Sequence, residues 1–456
     1  MNHLLRCIAA LFTLVLATST AVAAETEDCR VGSYRLADGS LVDVAPADEV
    51  SLRWRRLDGT TGLLTRDAAR NDANGNDKDT RWRSTYGWTG RPDGKTISFS
   101  ECGRGEIDFD GVRGRRIAYD VTNTTFTSRD TRFVGRLVMP KGAGDDQVPL
   151  VILLHGAERD SALSSYSLQR MLPAEGVAAF VYDKRGTGSS GGSYTQDFSL
   201  LADDAIAAMR EARRLAGARA GRVGYQAGSQ GGWVAPIAAN RAPVDFVIVC
   251  FGLAVSVIDE DQQQVEMELR DKGYSPDEIL KAQEVARAAE NVFASGFTQG
   301  FAEFDAARAR YGKERWYKDL HGNYTWVLLP HAEAELRAMA PKFNWGTPFH
   351  YDPMPALRAG TTPQLWILGG RDYEAPAAET SRRIRSLIAD GRPLTLALYA
   401  QAEHGMTLFE TTQAGERLST RFPFGYFALI RDFARDGSLS GAYGDAEITD
   451  SARSGN

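Results

Sequence analysis

The segment Gly224-Tyr-Gln-Ala-Gly-Ser229-Gln-Gly-Gly-Trp233 sets a serine between a short β-type run, Arg222 to Gln226, and an apolar stretch, Val234 to Ala239, that can continue as a helix. A serine at a tight strand-to-helix turn needs small neighbours, because the turn forces its backbone out of the ordinary regions. Gly231 supplies that space, and Ala227 stands where a first glycine is usual. The following helix would aim its first N–H groups at the space above the serine oxygen, where negative charge develops during acyl transfer. A Gly-rich turn carrying a solvent-facing serine has the same local composition, so the reading depends on the partners such a serine requires.

A serine hydroxyl is a weak nucleophile at neutral pH and needs a base beside it, itself held by a carboxylate. Beyond the amino-terminal stretch the histidines are His155, His321, His331, His350 and His404. His321, His331 and His350 fall in an aromatic-rich helical stretch, and His155 ends a buried run upstream of the serine. His404 follows the last strand-like run in Tyr399-Ala-Gln-Ala-Glu-His-Gly-Met406, a loop where a base at the strand ends belongs. Asp372 is the first carboxylate after the run Leu365 to Leu368, which it leaves through Gly369 and Gly370. Glu374 stays open as its alternative, with Asp259 and Asp261 as more distant ones. An oxyanion would need two preorganised N–H donors. The amide of Gln230, next after Ser229, is one, and Ala157 in the loop His155-Gly-Ala157 is the other.

The elements that must position these residues alternate. Leu150–Leu154 and Ala178–Tyr182 are short apolar runs without polar alternation, as strands buried on both faces are. Leu200 to Leu215 has helical spacing, Val244–Phe251 reads as another buried strand, and Phe424 to Phe433 fits a last helix. This pattern predicts an α/β fold whose mostly parallel sheet carries its site at the carboxyl ends of the strands. From about 256 to 358 the strands stop. Helical stretches at Asp259–Lys272 and Ser275–Ala294, with Trp316, Trp326, Phe343 and Trp345 among the aromatics, predict a helical cap inserted between two strands. Most of those aromatics are expected to fill the cap's own core. Upstream, Cys29 to about Ile117 reads as a small antiparallel β domain with Asp-Gly turns, and Arg66 to Thr80 as a loop. The tail after Asp436 is Gly-, Ser- and Asp-rich and is expected to be disordered.

Composition narrows the class. At 456 residues with 43% hydrophobic and 25% charged content, the chain has ordinary globular make-up and length enough for more than one domain. A formal charge of −6 with scattered basic residues gives no case for a nucleic-acid partner. The histidines are dispersed, so neither a metal nor a cofactor is expected. Residues 1–23 combine a weakly basic start, the apolar run Ile8 to Leu16 and the small-x-small triplet Ala21-Val-Ala23, which reads as a secretory signal too short to span a membrane. The expected location is periplasmic or secreted, with no stable membrane insertion. In that compartment Cys29 and Cys102 are the sensible disulfide partners, and closing such a loop would stabilise by about 4 kcal/mol on the chain-entropy view. Cys250 reads as a packed free thiol.

From about Phe133 to Phe433 the chain resembles the α/β-hydrolase superfamily, particularly its secreted esterase and serine-aminopeptidase-like members. The resemblance rests on the order Ser229, Asp372, His404, on Gly231-Gly232 after the serine, and on Asp183-Lys-Arg-Gly-Thr-Gly-Ser-Ser190. That last loop is read as structural, with Asp183 and Arg185 holding it by charge and hydrogen bonds. The expected division is a signal peptide over 1–23, a β-rich domain over 24–117 and a hydrolase domain over 118–456. The expected activity is cleavage of carboxylic esters through a Ser229–His404–Asp372 triad and an acyl-enzyme. A peptide substrate, with Glu266 or Glu268 of the cap receiving an amine, and acyl transfer to another acceptor use the same residues. A non-catalytic envelope-binding protein is the remote alternative. Oligomeric state is not encoded in any of these features.

Overall fold

The computed structural model describes residues 28–66, 81–101, 103–142 and 146–451. The signal segment, the loop over 67–80 and Cys102, hence the expected Cys29–Cys102 bridge, lie outside the described residues.

Residues 32–116 form a closed eight-stranded antiparallel barrel. Its strands alternate, so one side chain in two enters a core that includes Tyr34, Val44, Trp54, Trp82 and Phe109. In Leu52–Arg56, Trp54 points inward while Arg53 and Arg55 point away from that core.

The second sheet has nine strands. At its centre Ala178–Tyr182, Val148–Leu154, Ala220–Gly228, Phe246–Cys250, Gln364–Gly369 and Leu394–Tyr399 pair in parallel. Thr131–Pro140 and Tyr119–Ser128 extend one edge antiparallel. The apolar runs lack polar alternation because both faces are covered. Ile152, Phe180, Val249 and Trp366 pack beneath the helices Phe198–Ala216, Gly231–Arg241 and Ala377–Ala389. Val151, Val181, Ile248 and Ile367 pack beneath Leu168–Ala174 and Tyr426–Asp436.

Between Phe246–Cys250 and Gln364–Gly369 lies a helical insertion with a core of its own around Phe293, Phe304 and Trp316. Its two long helices, Val257–Asp271 and Pro276–Ala294, each start at a serine whose hydroxyl accepts from the third helical N–H, with the acid at that position returning the bond.

The carboxyl-terminal tail departs from expectation. Despite its composition, its described residues, 437–451, pack on the sheet domain, and Glu447–Thr449 pairs antiparallel with Leu394–Tyr399 at the other sheet edge. Buried Tyr443 anchors it, its carbonyl accepting from the Tyr399 hydroxyl at 3.1 Å. An unpaired sheet edge recruits even a polar segment when one anchor holds it in place. A hairpin after His404, Leu408–Thr411 with Arg417–Arg421, was also not expected. It meets the barrel: the Trp88 amide donates to the Ser419 carbonyl at 2.9 Å, and Phe422 N–H to the Gly59 carbonyl at 2.9 Å.

The barrel is also joined to the sheet domain by a buried ion pair. The Arg170 guanidinium donates to both oxygens of Asp43, at 2.8 and 3.0 Å, and Asp43 is wholly buried. Among the described residues no helix is long and apolar enough to cross a membrane.

Candidate active site

The strand Ala220–Gly228 ends at Ser229, whose φ is +50°, and the helix Gly231–Arg241 starts two residues later. A left-handed backbone at a residue with a Cβ costs roughly 1–3 kcal/mol and persists only where its surroundings impose it. Here the Ser229 amide donates to the Cys250 carbonyl at 3.0 Å and its carbonyl accepts from Gly232 N–H at 2.7 Å. The small neighbours are required. A Cβ on Gly231 would lie 3.0 Å from the Ala227 Cβ and 3.0 Å from the His155 carbonyl, and one on Gly232 would strike Val249 at 2.9 Å. Ala227 is tolerated because the residue facing it has no side chain.

Asp372 follows Gly369 and Gly370, which lie so close to the backbone of Ala400 and Ala402 that a Cβ on either would come within 2.5 Å. That close approach brings two strand ends together and sets Asp372 beside His404. The carboxylate is fully buried, accepts from Ala375 N–H at 2.8 Å, and lies 3.0 and 3.1 Å from His404 Nδ1. Burial by itself would lower the imidazole. The Asp372 carboxylate, helped by Glu374 and Glu260, outweighs it and raises His404 to about 9. Cys250 is a buried free thiol, as its apolar strand implied.

Phe251 lies between His404 and Gly228, the residue before Ser229. Its ring stands edge-on to the His404 imidazole, centroids 5.0 Å apart, and packs so closely on Gly228 that a Cβ there would lie 2.9 Å away. Phe251 itself has φ +43°, and Met406, two residues after His404, has +60°. Strained backbone thus recurs around one spot. Among the described residues no hydrogen bond joins the Ser229 hydroxyl to His404; the second imidazole nitrogen lies 3.6 Å from Glu374 Oε2 instead. The expected acid, Asp372, holds Nδ1, and its alternative Glu374 stands at Nε2.

The loop carrying Ala157 lies against the serine, since a Cβ on Gly156 would be 3.3 Å from the Ser229 Cβ. Among the described residues neither the Ala157 nor the Gln230 amide has an acceptor. Of the loop read as structural, Asp183 accepts from Ser161 Oγ at 2.7 Å and Ser189 N–H at 3.0 Å, and Arg185 donates twice to buried Asp204, at 2.7 and 3.0 Å. Between them Lys184 donates to the Gly156 carbonyl, and burial draws its ammonium down to about 8.

The cap acids considered for a substrate amine are already paired. Glu266 pairs with Arg270, and Glu268 accepts from Gln264 Nε2 at 2.7 Å beside His321. Asp259 caps its helix, and Asp261 accepts from Tyr324 N–H and Thr325 Oγ1 at 2.7 and 2.6 Å. The insertion's acid that acts electrostatically on His404 is Glu260, which accepts from Asn323 Nδ2 at 3.0 Å. Burial holds its carboxyl well above the usual range, with Asp261, Asp372 and Glu374 adding to the rise and His404 opposing it. Which acid of this helix turns toward the site depends on helical phase and docking, which its sequence does not carry.

No family model and no curated protein matches the chain. The chain is similar to solved structures of esterases and peptidases. An esterase of Pyrococcus furiosus aligns at 14% identity over 63% of this chain and 84% of its own, with a TM-score of 0.40. A proline iminopeptidase of Mycobacterium smegmatis aligns at 19% over 62% of this chain and 91% of its own, TM-score 0.38. An acylaminoacyl peptidase of Pyrococcus horikoshii aligns at 13% over 88% of this chain and 57% of its own, TM-score 0.41.

Proposed function

We propose that the protein is a serine hydrolase that cleaves carboxylic esters through an acyl-enzyme. The pairing of His404 with buried Asp372, and the packing of its imidazole on the Phe251 ring that walls Gly228 next to strained Ser229, carry this reading. The imidazole turns from Glu374 to Ser229 when substrate enters and takes the hydroxyl proton as Ser229 Oγ bonds to the acyl carbon. Asp372 orients the ring and stabilises its positive charge. The Gln230 and Ala157 amides hold the oxyanion. The proton then passes to the departing alcohol, and a water activated by His404 releases the acid. Ser229→Ala should lower kcat by about 10⁶-fold and abolish labelling by a fluorophosphonate probe. Full turnover in that variant would sink the proposal.

Glu260 favours a second reading, in which the substrate is a short peptide whose ammonium pairs with this half-buried carboxyl and draws it into its charged form. Glu260→Gln would then depress cleavage of amino-acid anilides at least tenfold more than of neutral esters. Equal losses on both would leave the ester reading alone. Residues 1–23 support export to the periplasm or the medium. N-terminal sequencing of the mature protein should give Ala24 or Glu25, and an intact Met1 on exported protein would contradict it. Mass measurement without reduction tests the Cys29–Cys102 bridge.

A further inference from the structure

A cavity of about 320 Å³ lies beside the candidate site, walled on one side by Gly228, Phe251 and Gly405, the neighbours of Ser229 and His404. Most of its remaining wall is apolar, including Leu154, Phe422 and Phe427. One residue of the barrel, Arg55, reaches this wall from outside the sheet domain.

The two outward arginines of that barrel strand are treated differently. Arg53 donates from Nη1 to the Gly87 carbonyl at 2.9 Å and stacks over Trp88 at 4.1 Å. Arg55 forms no ion pair among the described residues, and its Nη1 is closed off from solvent without a partner. The carboxylate facing it across the strand pair is Asp43, and Arg170 already takes both of its oxygens. Burial draws the Arg55 guanidinium down to about 10, with Asp43 holding it up and Arg170 pressing it down, so it stays charged at neutral pH. The cavity's own anion, Glu158, is already engaged: it accepts from the Tyr166 hydroxyl and from Gly156 N–H, and Lys184 lies near it. A charge partly withdrawn from water without a counter-ion is costly, and this half-buried guanidinium lines the cavity.

We propose that the barrel completes the substrate pocket, and that Arg55 binds a carboxylate at the end of an apolar chain. The substrates are then esters or amides bearing such a chain, with the scissile carbonyl at Ser229 and the anionic end at the barrel. This deepens the hydrolase reading and rests on it for the cleaved bond, but not for binding.

The test is calorimetric, on the Ser229→Ala protein, with hexanoate and 1-hexanol as probes of equal chain length. Hexanoate should bind at least tenfold more tightly. Adding Arg55→Met should erase that advantage while leaving 1-hexanol binding within about twofold. Arg55→Gln, a polar replacement of similar reach, serves if the methionine variant does not fold, and should show the same loss. Equal binding of the two probes, or a hexanoate advantage that survives loss of Arg55, would overturn the proposal. Failure of Ser229 labelling with the hexanoate preference intact would overturn only the catalytic reading.

Discussion

Two regions outside the sheet domain's core supply ionisable groups around the candidate site, the barrel through Arg55 and the helical insertion through Glu260. Both groups sit in surroundings that disfavour charge, yet they answer differently. A carboxyl can shed its charge by keeping its proton, and burial pushes Glu260 toward that form while its oxygen accepts from Asn323. A guanidinium at about 10 cannot become neutral in the physiological range. The insertion can therefore hold its acid without a ligand, whereas the barrel leaves a charged guanidinium at the cavity wall with no ion-pair partner among the described residues.

The strongest way to break this contrast is to remove the centre both groups surround. Asp372→Asn leaves either wall intact but takes away the carboxylate that orients and charges His404. It should lower kcat by about 10⁴-fold, read with an activated ester. Activity within tenfold of the parent would move the acid's role to Glu374.

Detaching the barrel is the next largest change. Asp43→Asn removes the carboxylate that accepts twice from the buried Arg170 guanidinium and takes from Arg55 the negative charge that holds it up. A loss of about 3–5 kcal/mol in urea unfolding is expected. A loss under 1 kcal/mol would show that the ion pair does not join barrel to sheet.

Acidity sharpens the contrast with a smaller effect. Because His404 is raised to about 9, it must lose a proton before acting as base, so kcat/KM should climb with pH toward that value. Stability runs the other way. The contribution of the charged imidazole is complete below its unfolded value near 6.5 and is lost as pH rises through about 9. Glu374→Gln should move the activity limb to lower pH, whereas Arg55→Met should leave it in place. An unmoved limb in the glutamine variant would remove Glu374 from His404's surroundings.

The smallest effect concerns the insertion alone. Burial, with Asp261 nearby, raises Glu290 to about 9. Ionisation in the unfolded chain therefore costs stability progressively between about 4.5 and 9. Glu290→Gln should raise the Tm by a few degrees at pH 8 and hardly at pH 4. Equal shifts at both values would point to packing instead.

How much of this was legible in the sequence depended on whether a residue's role is set locally. Ser229 is marked by the small residues its turn requires, and those contacts are the ones observed. Asp372 and His404 stood out as the first acid and the suitable histidine after successive parallel strands, and they are in contact. The buried runs and the two capped helices were equally plain, since burial on two faces and capping leave local marks. Glu260, Phe251 and Arg55 were not found. Each gains its position from how one element docks on another: a helix's rotation, a loop's close approach, the outer face of a barrel. The alternation in Leu52–Arg56 turns Arg55 away from the barrel core, but nothing in it marks the sheet domain's cavity beside that residue. The tail misled for a related reason, because its glycines and serines describe the chain before a partner strand is present.

That tail has a consequence for handling the protein. Glu447–Thr449 covers the amides and carbonyls of Leu394–Tyr399, the strand that delivers His404. A chain trimmed ahead of Glu447 would present those groups bare, a template on which a second molecule can lay its own backbone. Three residues remote in sequence from any chemistry thus act as a seal against self-association.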